Sequence, residues 1–118
     1  MLNGARFDDS IGLNAWPIER HTQGRVEWAF PRDANNTFNQ LPWRMLLPAN
    51  ASNLLVAGRC ASMEHEGQSA ARASGACFVM GQAAGTAAAL MCRGMLGVEQ
   101  VVPPLLQTLQ RDGVELGH

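Results

Sequence analysis

Apolar residues fall along this chain in three kinds of run, and each kind predicts a different element. Ile11–Glu19 and Arg25–Phe30 interleave apolar with polar positions on either side of Gly24. Half-buried strands joined at a glycine turn read this way, so a β-hairpin or two short strands is expected. Asp33–Asn39 is dominated by Asn, Asp and Thr, whose side chains bond to nearby backbone, and predicts a loop. Leu41–Pro48 is apolar but carries Pro42 and Pro48. Proline donates nothing to a sheet ladder, so this is expected to be an edge strand or an extended packing segment. Asn53–Arg59 is a short unbroken apolar run stopped by Gly58. Without alternation it predicts a strand of a parallel sheet, covered on both faces.

From about Gly75 to Arg93 the composition turns alanine-rich, and a long helix is expected, with only Gly81 and Gly85 opposing it. At helical spacing Cys77, Gly81, Gly85, Ala88 and Cys92 share one face, which is flat and almost free of side-chain bulk. Val79, Met80, Ala83, Ala87, Leu90 and Met91 form an apolar flank, and Gln82, Thr86 and Arg93 a thin polar stripe. Two helical glycines cost about 1 kcal/mol each relative to alanine. Close approach of another backbone or of a flat ligand is the expected compensation. A last helix is predicted over Pro103–Asp112, with prolines in its first turn, Leu105, Leu106 and Leu109 on one face, and Gly113 at C′. Val114-Glu115-Leu116 is expected as an extended tail.

Ser74–Cys92 carries no charge and contains Gly81-xxx-Gly85, a spacing shared with packed membrane helices. Its residues are mostly Ala and Gly, which are weakly lipophilic, and Gln82 lies near the middle. A buried helix in a soluble protein explains the pattern with less strain, so no membrane partner is expected.

Composition narrows the function classes. The chain has 118 residues and is 47% hydrophobic, enough for one small core. A formal charge of −1 offers no general attraction to nucleic acid. Trp16, Trp28 and Trp43 are not interleaved with basic residues, so they are expected as core or interface anchors. Cys60, Cys77 and Cys92 form neither a CxxC pair nor a Cys/His ladder, which argues against zinc and against a disulfide framework. Cys77 and Cys92 read as small core residues. Met1–Ser10 has no apolar run behind a basic start. With free cysteines, that gives a cytoplasmic expectation.

The ordered set Asn53-Leu54-Leu55-Val56-Ala57-Gly58-Arg59-Cys60, Ser69-Ala70-Ala71-Arg72 and Gly81-Gln82-Ala83-Ala84-Gly85-Thr86-Ala87-Ala88-Ala89 resembles the C-terminal signature of FAD-dependent oxidoreductases. That family is related to the fumarate reductase and succinate dehydrogenase flavoproteins. Asp9-Ser10-Ile11-Gly12 and Leu41–Pro48 resemble the segments that precede the signature, and Leu105–Leu116 the closing helix and tail.

The resemblance implies that the strand at Leu54–Ala57 rejoins a dinucleotide-binding sheet, with Gly58 and Arg59 beside the ribityl or pyrophosphate of FAD. It also implies that the start of the long helix, Ser74-Gly75-Ala76-Cys77, points its free N–H groups at the flavin ring. The partial positive charge there would favour the reduced, negatively charged flavin. Arg72 would hold a substrate anion or deliver a proton, and His65 would lie on the substrate side. Such flavoproteins hold the adenosine and pyrophosphate with a GxGxxG turn, and this sequence contains none. The expectation is therefore a C-terminal fragment lacking its N-terminal FAD-binding half, inactive alone and not retaining FAD.

Each candidate has a plainer reading. Gly81 and Gly85 also suit ligand-free helix packing, Arg59 an ordinary surface arginine, and Arg72 an ion pair with Glu64 or Glu66. Glu64-His65-Glu66 resembles a metal or acid–base cluster, but adjacent side chains diverge, and a solvated loop is expected. The fold class expected is α+β: short strands packed on one long Ala/Gly-rich helix plus a C-terminal helix, a fragment of a larger α/β FAD-binding fold. Residues 1–118 form one domain or domain fragment, divided into a strand-rich segment (1–52), a flavin-adjacent strand and helix (53–93), and a C-terminal helix and tail (94–118). The alternative function is a non-catalytic, self-associating interaction module, with homo-oligomerisation through exposed core surface.

Overall fold

The computed structural model describes residues 4–30 and 38–118. The architecture is α+β. Its described elements are β1 (Ser10–Asn14), β2 (Ile18–Thr22), β3 (Arg25–Ala29), β4 (Asn39–Pro42), α1 (His65–Ala71), α2 (Ser74–Gly94) and α3 (Val102–Arg111). Single 3-10 turns lie at Trp43–Leu46 and Gly58–Cys60. The expected loop at Asp33–Asn39 falls outside the described residues except at its end, where Asn39 already belongs to β4.

The strands form two separate antiparallel pairs, β1 with β4 and β2 with β3. The run expected as one strand over Ile11–Glu19 is thus divided. Its first part joins β4, and only its second part enters the hairpin. Pro17 lies at the break, where a missing N–H ends any ladder. In the hairpin Thr22 faces Arg25, and Gln23 and Gly24 both adopt positive φ, 47° and 77°. Two left-handed residues twist the turn to match the strands it joins.

The core lies between β1, α2 and α3. Met80, Ala83 and Ala87 of α2 are buried against Ile11 of β1 and against Val101, Leu105 and Leu109 around α3. Full burial of a side chain such as Leu109 contributes about 1.5–3 kcal/mol. Gly12 lets β1 lie this close, since a Cβ there would stand 2.4 Å from Val79 Cγ1 of α2. Trp43 is buried and donates its indole N–H to Val98 O at 2.9 Å. The tail is tied to the β1–β4 pair, because Leu116 O accepts from Ser10 Oγ at 2.7 Å and from Gln40 Nε2 at 2.9 Å.

Both long helices stop as their ends require. Leu96 N–H reaches back to Met91 O past left-handed Met95 (φ 51°). Val114 N–H reaches Leu109 O past Gly113 (φ 86°). Pro103 and Pro104 occupy the first turn of α3, where an absent N–H costs nothing.

Several sequence expectations need correction. Asn53–Arg59 forms no strand. Leu54 is 53% exposed, Val56 N–H bonds to Leu46 O, and Gly58 opens a 3-10 turn. A parallel strand exists only through its neighbours, and no parallel pair occurs among the described residues. Leu41–Pro48 is neither wholly strand nor wholly extended: β4 ends at Pro42 and a 3-10 turn follows. Glu64-His65-Glu66 is no loop, because His65 and Glu66 open α1 behind Glu64 at the N-cap. Of the tryptophans expected as core or interface anchors, Trp43 is in the core while Trp16 and Trp28 are about half exposed; Cys92 is exposed rather than a core residue. The long helix is not buried all round. It is apolar and long enough to cross a membrane by length and composition, with 22% of its apolar window buried, and Phe78 is 77% exposed.

Candidate functional site

Two short pieces of chain meet at the N-terminal end of α2. The turn Gly58–Cys60 packs on the helix there, with Gly58 at φ 67°. A Cβ at Gly58 would lie 3.6 Å from Cys77 Sγ. That conformation is cheap for glycine and costs other residues about 1–2 kcal/mol. Cys77 in turn points its thiol at Arg72 O, 3.5 Å away. The turn, the α1–α2 junction and the first turn of α2 are thereby held as one corner.

The helix end at this corner has no side-chain cap. Ala73 occupies the N-cap, and the first helical bond runs from Cys77 N–H to Ala73 O. The N–H groups of Ser74, Gly75 and Ala76 precede that bond and face outward at the positive end of a long helix dipole. Ser74 and Gly75 are exposed, and nothing lies within 4 Å of where a Gly75 Cβ would stand. Ala76 turns its methyl into the core, so it offers only its N–H. Small residues, free donors and open space are what a flat, electron-rich group needs from a helix end.

The predicted cofactor residues therefore converge in part. Gly58, Ser74, Gly75, Ala76 and Cys77 belong to this corner. Arg59 follows Gly58 and is exposed, with its carbonyl accepting from Gln68 Nε2 at 3.5 Å.

The predicted catalytic pair does not converge. His65 and Arg72 flank α1 at its two ends, about 10 Å apart along the helix axis at 1.5 Å per residue. His65 is exposed. Arg72 pairs with Glu19 of β2, Nη2 to Oε2 at 3.3 Å, and not with Glu64 or Glu66. Glu66 pairs instead with Arg20, the next residue of β2. Both partners lie some fifty residues away along the chain, and no local spacing announced them.

Gly81 and Gly85 have nothing within 4 Å of their Cβ positions. Their face is open, so within this chain no close neighbour offsets their helical cost. Beside it runs an apolar cleft of about 560 Å³, lined by Asn53, Leu54, Leu55, Ala84, Ala88 and Met91 among others. A second hollow of about 330 Å³ lies between Phe7, Arg44, Met45, Met63 and Glu64. Sequence reasoning missed it, since its walls come from three separate segments.

Residues 1–112 match the family described as FAD dependent oxidoreductase. The chain belongs to that family. No curated protein and no solved structure matches it. For a FAD-dependent oxidoreductase, the corner at Gly58 and α2 fits a flavin. The open position at Gly75 leaves room for a ring, and the uncapped N–H groups would face a partly negative edge. The adenosine and pyrophosphate ordinarily sit on a GxGxxG turn, which this sequence does not contain.

Proposed function

We propose that this chain is the C-terminal, flavin-adjacent portion of a FAD-dependent oxidoreductase whose dinucleotide-binding half lies outside the sequence. The observation that carries the reading is the corner where Gly58, at positive φ, packs on the uncapped start of α2. The open cleft along Asn53–Leu55 supports it too, since a parallel-sheet type of sequence there lacks the neighbours it suits.

Bound FAD supplies the redox chemistry, exchanging a hydride equivalent with substrate. This chain's residues position and tune it. Gly58 lets backbone approach the cofactor, and Arg59 complements its negative charge. The N–H groups of Ser74, Gly75 and Ala76 stabilise negative charge on the ring, while Cys77 holds the turn against the helix. Arg72 takes the anionic part of a substrate, and His65 stands on the substrate side. The chain alone retains no FAD and is inactive, working in the cytoplasm of its cell only with the missing half.

Co-expression with a partner carrying strand–GxGxxG–helix tests this. A yellow complex with flavin absorbance supports the reading. A colourless one overturns it. The second reading, a self-associating module, is favoured by Trp16 and Trp28, whose exposed rings stack edge-on with centroids 6.3 Å apart. A stable dimer of the chain alone, together with a colourless complex, selects that reading.

A further inference from the structure

The hairpin β2–β3 is the least embedded part of the described chain. Every residue from Arg20 to Trp28 is exposed, and only Ile18, Glu19 and Ala29 at its base are half-buried. Val26 and Trp28 stand opposite His21 and Glu19 on one face of the hairpin, and Phe30 follows; all three are about half exposed or more. Trp28 packs on the Trp16 ring outside the hairpin, and the bonds from the hairpin to α1 are ionic: Arg20 to Glu66 and Glu19 to Arg72. Adjacent strand residues leave on opposite faces. The two pairs accordingly grip α1 at its two ends, Glu66 in the first turn and Arg72 at the C-cap.

Each hairpin charge also has a second partner within the hairpin. Glu19 Oε1 lies 2.9 Å from His21 Nε2, and Arg20 stands directly opposite Glu27 in the ladder. Lifting the hairpin strands no charge on β2, because His21 and Glu27 remain beside Glu19 and Arg20. The ionic part of the cost is the loss of two pairs to α1, each worth about 0–1 kcal/mol where exposed, less what the neighbours within the hairpin return. Arg72 is the group whose situation changes most, since its guanidinium loses Glu19.

We infer that β2–β3 is an ionic latch that closes over Arg72 and opens as a unit, exchanging the Glu19–Arg72 and Arg20–Glu66 pairs for contacts within the hairpin. The closed latch commits Arg72 to Glu19; the open one presents it to an external anion. This rests on the proposed function only for what the released Arg72 binds, and the latch itself is measured without flavin.

The test uses the whole chain and follows the phenylglyoxal labelling rates of Arg20 and Arg72 by mass spectrometry, with Arg93 of α2 as reference, because the β2–β3 ladder stays closed when the hairpin lifts. Raising salt from about 0.05 M to about 1 M screens exposed pairs. It is expected to speed labelling of Arg20 and Arg72 about three- to tenfold relative to Arg93. Glu66→Arg should speed Arg72 labelling at low salt, and Arg20→Glu with Glu66→Arg together should restore slow labelling of Arg72. Glu19→Gln should speed Arg72 labelling directly. The latch is overturned if Arg72 labelling is indifferent to salt and to Glu66→Arg, or if it changes only together with Arg93. It is equally overturned if Arg20 and Arg72 labelling do not rise together with salt.

Discussion

Gly58 and Cys77 define the corner on which the site is built: Gly58 turns left-handed at φ 67°, and the Cys77 sulfur stands 3.6 Å from where a side chain would begin. The space there admits a methyl group at ordinary contact, but the backbone does not welcome one. Gly58→Ala is therefore expected to destabilise the chain by about 1–2 kcal/mol through conformational strain alone. Gly58→Asn, better suited to positive φ, should cost less. Urea unfolding of both variants checks the order, and a larger loss for Asn than for Ala would show that volume governs this position.

Gly12 behaves in the opposite way, because there space is the limit. A Cβ would meet Val79 Cγ1 at 2.4 Å, and φ is 154°. Gly12→Ala is expected to cost about 3 kcal/mol, combining overpacking with backbone strain. Val79→Ala removes the atoms in the way, so the double variant should lose less than the sum of the two singles. Strict additivity would mean that β1 relieves the clash by shifting off α2.

Gly81 and Gly85 distinguish the isolated chain from the proposed assembly with a dinucleotide-binding half. With open space at both positions, Gly81→Ala and Gly85→Ala should each stabilise the free chain by up to about 1 kcal/mol, the ordinary helix-propensity gain. In the flavin-containing assembly the same changes should lower cofactor retention or partner affinity, because the added methyls stand on the face kept flat. Thermal melts of the chain and flavin content of the co-expressed complex report the two effects separately. If both improve, the flatness serves no partner.

Leu109 and Trp43 test the core. Leu109 is fully buried between α3 and α2, and Leu109→Ala should cost about 2–5 kcal/mol. Trp43→Phe keeps the ring but removes the donor to Val98 O, costing about 1–3 kcal/mol if that carbonyl stays dry. Denaturant midpoints rank the two. A Trp43→Phe loss near zero would mean that water reaches Val98.

What the sequence made legible was whatever local chemistry decides. Alanine content placed α2, and Pro103 with Gly113 placed both ends of α3 to within one residue. The apolar flank at Met80, Ala83 and Ala87 is the face that is buried. Gly24 marked the hairpin turn. What remained illegible depended on distant partners. Asn53–Ala57 has the composition of a strand, but a strand is a relation between segments, and this one has no ladder here. Arg72 found Glu19 rather than the nearer Glu64 or Glu66, because β2 lies across α1. His65 and Arg72 were each expected near the substrate, and α1 holds them apart by its own length. The α1 helix itself was hidden by the short polar run Glu64–Glu66, which reads as loop without its buried face at Gly67, Ala70 and Ala71.

The unladdered stretch Asn53–Ala57 also bears on how the protein survives in a cell. An apolar segment that joins no ladder, bonded here only through Val56 N–H to Leu46 O, is a template for any similar segment it meets. Under the proposed function, a second copy of this chain competes with the dinucleotide-binding half for the same edge, and the outcome turns on abundance and timing. Made in excess of that half, the chain should aggregate; made in step with it, it should stay soluble. On that proposal, balanced synthesis is a requirement written into five residues.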